Sequence, residues 1–243
     1  MSLLRQRPSA PRQTWTRLVR VPGTTIEIPA RRSDRARRVS LNMRLDGQGV
    51  ELVLPRRATY AEGLAFAAQH RQWITACLSR VEPHLPFTPG AFLPYLGDEL
   101  IIRHCPTRRG GVWREEDGLM VTGQPEHLSR RVHDWLRREA RREMAARAYE
   151  KAAIIQRAVG PVSVRDTRTR WGSCASDGAV SFCWRLIMAP EPVLDYVVAH
   201  EIAHLVEANH SDRFWRLCAS LTERMDWARA WLHHHGQSLH RIG

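Results

Sequence analysis

The chain has 243 residues, 43% of them hydrophobic, which is enough for one large domain or two small ones and argues against a disordered protein. No run approaches the roughly 18 apolar residues of a membrane span, the N-terminus lacks an apolar signal core, and five cysteines are scattered without CxxC spacing, so we expect a reduced, cytoplasmic protein with no membrane partner. The formal charge of +12 would attract nucleic acid or another polyanion, although arginines dispersed over many elements are also typical of a solvated surface.

The N-terminal half predicts a basic tail and then a β-rich subdomain. Residues 1–20 are rich in Arg, Pro and Ser without an apolar period, which indicates a disordered basic tail. Residues 21–124 are expected to form short strands around one amphipathic helix, from Leu64 to Leu78, followed by a loop at residues 83–94. The strands are expected at residues 25–28, 38–45, 50–54, 100–103, 111–114 and 119–121, with a hairpin turn at 46–49.

Residues 125–243 are predicted to form a second domain. A long helical pattern begins at Glu126 and is expected to stop at Gly160-Pro161. Strands should follow at residues 162–165 and, as a pair around the Ser176-Asp177-Gly178 turn, within residues 170–187. Further helices are expected from Pro190 through Ile202, from Ser211 to about Leu221 and from Glu223 to about His233.

The helix that begins near Pro190 carries the sequence His-Glu-x-x-His. His200 and His204 are four residues apart, so one helical turn puts both imidazoles on the same face. Neutral imidazole is a good zinc ligand, and a catalytic zinc site needs three protein ligands and one position for water. Glu201 adjoins the first histidine, where its carboxylate could take a proton from that water.

The third ligand must come from outside the His-Glu-x-x-His motif. His210 stands ten residues after His200, past Ala208-Asn209, where the helix could turn, since Asn tolerates the left-handed conformation that such a turn can require. Glu207 is the competing ligand, but it requires the helix to continue straight. The sequence therefore predicts one Zn²⁺ per chain, held by His200, His204 and His210, with Glu201 as the catalytic base.

The same region resembles a known family, the YgjP-like metallopeptidase domains, which are related to the SprT-like and WLM zincins. One block of the resemblance spans residues 169–190 and contains Arg-Trp-Gly-Ser-Cys, and the other spans residues 195–215 and contains the three histidines. The resemblance implies an α+β, zincin-like fold in which the active-site helix packs on a small mixed or antiparallel sheet, preceded by the β-rich subdomain. It also implies the three histidines as metal ligands and Glu201 as catalytic base.

Three further residues are candidates for supporting roles. Arg170 and Arg185 could stabilise an oxyanion or a substrate charge, although a structural role is the more common one for such arginines. Asp195 precedes the motif by about one turn and could accept a hydrogen bond from a ligand imidazole, with a helix-start cap or a salt bridge as the alternative.

Three functions are compatible with this pattern. The leading hypothesis is a metallopeptidase that uses a Glu-activated, zinc-bound water on a polypeptide substrate, which could pair with the edge of the strand Val180 to Trp184. The second is a metal-dependent phosphohydrolase acting on nucleotides or another anionic small molecule. The third is a nucleic-acid-associated binding module with a structural metal, against which Glu201 argues because a closed structural site needs no base.

Overall fold

The structure, a computed structural model, describes residues 16–44, 49–79 and 83–243. The chain divides into two compact units, residues 1–82 and residues 83–243, each with its own hydrophobic core. Both units combine helices with a mixed sheet, so the predicted α+β class is confirmed. Within the described residues, no helix has both the length and the apolar character needed to cross a membrane.

The first unit is a four-stranded sheet packed against two helices. The strand order is β1-β2-β4-β3, and the antiparallel pairing of β3 with β4 confirms the predicted hairpin, whose turn residues 46–48 lie outside the described residues. Leu52 and Leu54 of β4 are fully buried, as are Ala67 and Ile74 of the helices. The elements are β1 (Thr16–Arg20), β2 (Glu27–Ser33), β3 (Ser40–Met43), β4 (Val50–Pro55), α1 (Tyr60–Gln69) and α2 (Arg71–Leu78).

Two expectations for the first unit need correction. Strand β1 begins at Thr16, inside the predicted tail, because Val19 pairs with Ile28 of β2 and is buried; residues 1–15 lie outside the described residues. The single helix expected from Leu64 to Leu78 is two helices, since His70 leaves the helical conformation at φ −104° and ψ 18°.

The second unit begins with a four-stranded sheet that packs on a long helix. The strand order is β5-β6-β8-β7, and the sheet's apolar face joins the core made with the long helix, through residues such as Leu100, Leu119 and Leu136. This shared core explains why the compact units divide after residue 82, whereas the sequence pattern suggested a boundary near Gln124. The elements are β5 (Phe92–Tyr95), β6 (Asp98–His104), β7 (Val112–Glu115), β8 (Gly118–Val121), a 3₁₀ turn (Pro125–His127) and α3 (Leu128–Ile154). Strand β5 lies partly inside the expected loop at residues 83–94.

Helix α3 stops earlier than the sequence suggested. Gln156 adopts the left-handed conformation at φ 53°, its N–H donates to the Ala153 carbonyl, and the Arg157 N–H donates to the Ala152 carbonyl at 2.9 Å. This is the hydrogen-bond pattern of a Schellman cap, which satisfies the last carbonyls of the helix. The cap is made by a glutamine, so the predicted stop at Gly160-Pro161 is wrong by about one turn.

The remaining elements form the frame of the candidate site. Strand β11 lies in the middle of a three-stranded sheet, antiparallel to β10 on one side and parallel to β9 on the other. An extended substrate therefore cannot pair with β11 as the sequence analysis suggested, because both of its edges are already hydrogen-bonded. The elements are β9 (Val162–Arg165), β10 (Gly172–Cys174), β11 (Val180–Cys183), a 3₁₀ helix (Trp184–Met188), α4 (Glu191–Ala203), α5 (Asp212–Ser220), α6 (Met225–His235) and a 3₁₀ helix (Gly236–Arg241).

Helix α4 is the central helix of the second unit. Pro192 lies in its first turn, where a missing N–H costs no hydrogen bond, and Glu191 places a negative charge at the same end. Nine of its thirteen residues are buried, so packing from several sides holds the helix. One of the nine is Glu201, and glutamate is rarely found buried in proteins.

Candidate metal centre and active site

Two of the predicted ligands lie at the C-terminal end of α4. His200 is in the last turn and His204 is the C-cap residue, still with helical dihedral angles, so the i, i+4 relation survives. Their ring centroids are 5.1 Å apart. The sequence prediction that these two imidazoles share one face of a helix therefore agrees with the structure.

The chain turns immediately after His204 and returns with His210. The N–H groups of Leu205 and Val206 donate to the carbonyls of Ile202 and Ala203, three residues back, which tightens and ends the helix. The turn thus comes earlier than the expected site at Ala208-Asn209. Asn209 does not have a positive φ, so the turn is made without the left-handed conformation that asparagine would tolerate.

The three imidazoles converge on one point. The Nε2 atoms of His200 and His210 are 3.0 Å apart, and one ring nitrogen from each of the three histidines lies within 4.8 Å of the others. Zinc–nitrogen bonds of about 2.0 to 2.1 Å at tetrahedral angles would put neighbouring ligand nitrogens about 3.3 Å apart. The donor set and its spacing therefore fit a metal ion such as zinc.

The second nitrogen of two of these rings has a partner that favours metal binding. Nδ1 of His204 lies 3.0 Å from the backbone carbonyl of Glu207, which can accept a hydrogen bond but cannot donate one. His204 must therefore carry its proton on Nδ1, which leaves the Nε2 lone pair available. Nδ1 of His200 lies 3.5 Å from the hydroxyl of Tyr196, whose oxygen can accept a hydrogen bond from a protonated Nδ1 in the same way.

Helix α5 supplies an aromatic wall behind the imidazoles. The Ser211 hydroxyl accepts a hydrogen bond from the Phe214 N–H at 3.4 Å and caps this helix. The fully buried Phe214 ring lies 4.5 to 4.9 Å, between centroids, from all three imidazoles, and the Trp215 ring stacks on His210 at 5.5 Å. Trp215 thus helps to hold the most exposed of the three histidines.

The protonation of His200 suits a metal ligand. Burial, followed by the neighbouring His204 and His210, lowers the pKa of His200 to about 4. The ring is therefore neutral at physiological pH, which is the form that coordinates metal ions.

Glu201 is buried against the backbone of strand β10. Its side chain is only 7% exposed, and a Cβ atom placed on Gly172 would lie 2.5 Å from both Cγ and Oε1 of Glu201. Only glycine leaves room for the carboxylate at this position. Burial raises the pKa of Glu201 to about 7, and the positive charge of Arg170 opposes this rise. A carboxylate with a pKa near neutrality can both accept and return a proton.

The other candidate residues have different partners. Arg170 is exposed and its positive charge acts on Glu201; its role toward an oxyanion or a substrate charge stays a prediction. Arg185 is buried, forms an ion pair with Asp166, and has its guanidinium carbon 4.5 Å from the centre of the Trp184 ring. These contacts agree with the structural alternative for Arg185.

Asp195 requires a correction. Its carboxylate lies 2.7 Å from Nζ of the buried Lys151, so it forms the salt bridge that was the alternative to a hydrogen bond with a ligand imidazole. Tyr196 and the Glu207 carbonyl have the positions beside the imidazoles that were expected for Asp195. The Glu207 carboxylate is likewise absent from the group of ligand atoms, which contains His210 instead.

Four contributors to the site were not predicted from the sequence: Gly172, Tyr196, the Glu207 carbonyl and Phe214. The spacing of Ser211 as a helix cap and Phe214 three residues later was a signal for the last of these. A glycine that is needed only for close approach has no periodic signature.

Comparison with known protein families identifies the chain's relationship. The model of the YgjP-like metallopeptidase domain matches residues 37–235, which is most of the chain. No curated protein and no solved structure matches this chain. The matched residues include strands β9, β10 and β11, the three histidines and Glu201, and on this basis the chain belongs to the YgjP-like metallopeptidase domain family.

Proposed function

We propose that this protein is a zinc-dependent peptidase in which His200, His204 and His210 hold one zinc ion and Glu201 acts as general base. The observation that carries the proposal is the convergence of three imidazoles, two with Nε2 atoms 3.0 Å apart, at the end of the helix that also carries a buried carboxylate. Membership of a metallopeptidase family supports the peptidase class.

The zinc ion, when bound, would lower the pKa of a water molecule toward 7 and polarise the substrate carbonyl. Glu201 takes the proton from the attacking water and returns it to the nitrogen of the departing amine. Its burial suits this exchange, because a carboxylate in water-poor surroundings has less preference for the charged form. Gly172 keeps the carboxylate in place by allowing it to lie directly on strand β10.

The remaining residues hold the imidazoles in the orientation that ligation needs. The Glu207 carbonyl fixes the tautomer of His204, and the Tyr196 hydroxyl can do the same for His200. Phe214 contacts all three rings and limits their rotation. Such preorganisation means that little ordering is required when the metal binds.

The test compares the zinc-loaded protein with its Glu201→Gln variant. On a mixture of peptides, we expect the substitution to lower kcat by about 10² to 10⁴, which is the range that general acid–base catalysis contributes. Zinc content, measured by elemental analysis, should be unchanged because Glu201 is not a ligand. Glu99→Gln is the matched control, since Glu99 is an exposed residue of β6.

Two results would contradict the proposal. One is a Glu201→Gln variant that retains full peptidase activity with its zinc. The other is a wild-type protein that cleaves nucleotides or phosphate esters and not peptides, which would favour the phosphohydrolase hypothesis. Tight, salt-dependent binding of nucleic acid without turnover of either kind of substrate would favour a binding module.

A further inference from the structure

A polar pocket lies on the three-stranded sheet, on strands that adjoin the candidate active site. Its volume is about 290 Å³, close to the lower limit of about 300 Å³ for small-molecule sites. Hydroxyl and guanidinium groups dominate its lining, and no lining residue is acidic. We call it the serine-arginine pocket; it is lined by Ser163, Arg165, Thr167, Arg170, Ser173 and Ser181 with Ala175, Ala179 and Val180.

The serines of the pocket form a row across the sheet. Ser181 of β11 pairs in register with Ser173 of β10 on one side and with Ser163 of β9 on the other. Residues paired in register point to the same face of a sheet, so the three hydroxyls stand side by side. The core face of the same strands is apolar, with Phe182 fully buried. Hydrogen-bond donors are thus concentrated on the face that the core does not use.

The two arginines of the pocket have no carboxylate bound to them. Among the described residues, neither Arg165 nor Arg170 lies within 4.0 Å of an acidic oxygen, whereas Arg103 and Arg114 in the other sheet of this unit each do. The nearest acidic residue in sequence, Asp166, is already paired with Arg185. Two guanidinium groups therefore face the pocket without a carboxylate partner, and a guanidinium group can donate two parallel hydrogen bonds to a carboxylate.

The pocket is linked to the candidate active site through strand β10. Gly172 of this strand lies beside the carboxylate of Glu201 on the core face of the sheet, and the next residue, Ser173, points to the opposite face and lines the pocket. Arg170, two residues before Gly172, lines it as well. Because β10 is an end strand of the three-stranded sheet, a substrate that lies along it can present neighbouring side chains to Glu201 on one face and to the serine-arginine pocket on the other.

We propose that the serine-arginine pocket binds an Asp or Glu side chain of the substrate, so that this protein acts on acidic polypeptides. The inference rests on the proposed peptidase function and names its substrate class. Arg165 and Arg170 bind the carboxylate, and the hydroxyls of Ser173 and Ser181 donate further hydrogen bonds to it, whereas the Ser163 hydroxyl donates to the Val180 carbonyl. Membership of a metallopeptidase family favours a peptide over a nucleic acid as the occupant of this pocket.

A binding experiment tests the pocket without requiring catalysis. Zinc-loaded Glu201→Gln protein is titrated calorimetrically with a short peptide of alternating Glu and Ala, and with the same peptide carrying Gln for Glu. We expect the Glu peptide to bind about tenfold more tightly, and R165Q/R170Q in the same background to abolish that difference. The matched control is R138Q/R141Q, which removes equal charge from exposed positions of α3.

The control separates the pocket from the general positive charge of the protein. If R138Q/R141Q weakens binding of the Glu peptide as much as R165Q/R170Q does, or if the two peptides bind equally, the proposal is wrong. A single-stranded oligonucleotide that binds more tightly than the Glu peptide, and loses this affinity in R165Q/R170Q, would assign the pocket to nucleic acid and also overturn it.

A cleavage experiment then connects the pocket with activity. Wild-type protein and R165Q/R170Q are incubated with a complex peptide mixture, and the cleavage sites are identified by mass spectrometry. We expect acidic residues to be enriched near the sites cut by the wild type and the enrichment to disappear in R165Q/R170Q. Absence of cleavage by the wild type, with arginine-dependent peptide binding retained, would contradict the peptidase function and leave the acidic-peptide site standing.

Discussion

At the scale of single residues, the candidate site depends on a glycine, Gly172, at a position where any side chain would collide with the catalytic carboxylate. Glu201 is a charged residue in a buried environment, and its carboxylate fits there because Gly172 has no Cβ. The φ angle of Gly172 is not in the left-handed region, so glycine is needed for space and not for backbone conformation. A general base placed by packing alone is sensitive to the smallest change in its neighbour.

We predict that Gly172→Ala lowers kcat by about a hundredfold, because displacing a catalytic group by about 1 Å has an effect of this size. The added methyl group would lie 2.5 Å from the Glu201 carboxylate and would force it to move. Steady-state kinetics and zinc analysis check the prediction, and zinc content should be retained.

Gly118→Ala in β8 is the control for this substitution. There the added methyl group meets the Arg103 side chain at 3.0 Å, and that flexible side chain can move away. If both variants lose activity equally, the effect of Gly172→Ala is a general effect of strand substitution and the packing argument fails.

At the scale of elements, the metal centre depends on how α5 begins. Ser211 follows His210 directly, so the cap of α5 fixes the backbone next to the third ligand. The same helix start holds Phe214 against the three imidazoles. The third histidine is therefore positioned by the element that follows it, and not by the helix that carries the other two.

We predict that Ser211→Ala destabilises the protein by about 1 kcal/mol, the usual cost of losing a helix cap, and weakens zinc binding. Denaturant unfolding measures the first effect, and competition with a chromophoric chelator measures the second. Ser220→Ala at the far end of α5 is the control, since its hydroxyl donates to the Leu217 carbonyl and does not cap the helix start. Unchanged zinc affinity in Ser211→Ala would separate α5 from the metal centre.

The sequence predicted those parts of the site and the fold that have a period or a spacing. His200 and His204 follow from the i, i+4 relation, and the β10-β11 pair follows from a turn around Ser176-Asp177-Gly178. The role of Gly172 was beyond sequence reasoning because it depends on which residue packs opposite to it. The partner of Asp195 was equally inaccessible, since Lys151 comes from α3, far away in the sequence.

Element ends were the least predictable feature of the fold, for a related reason. Helix α3 ends at a left-handed glutamine although a Gly-Pro pair follows four residues later, because hydrogen bonds to Ala152 and Ala153 decide the end. The break between α1 and α2 at His70 has no glycine or proline to mark it. Local sequence preference is weak compared with tertiary packing at such positions.

At the scale of the whole molecule, every candidate site residue belongs to residues 83–243. The core of this unit includes Val198 and Ile202 of α4, which are close in sequence to His200 and His204. It also includes Phe214 of α5, whose ring contacts the imidazoles. The unit of residues 1–82 has a separate core. Zinc binding should therefore act on the stability of one unit in particular.

We predict that zinc raises the free energy of opening in residues 83–243 by about 2.7 kcal/mol when the free metal is about 100 times its Kd. Hydrogen exchange measured with and without a chelator should show this as stronger protection of the amides of α4 and α5, with β2 and β4 unaffected. His210→Ala is the control and should remove the difference. Equal protection of both units by zinc in wild-type protein would contradict the assignment.

The two ends of the second unit are hydrogen-bonded to each other. Leu85 forms a parallel bridge with Ile242, its N–H donates to the Arg241 carbonyl, and its own carbonyl accepts the Gly243 N–H. The first and last residues of this unit are therefore close enough in space that a short peptide linker could join them. A circular permutant that joins residue 243 to residue 83 and opens at the exposed turn near Gly110 would keep each strand and helix of the unit intact. If such a permutant still brings the three imidazoles together, their convergence depends on the packing of the elements and not on the order in which the chain connects them.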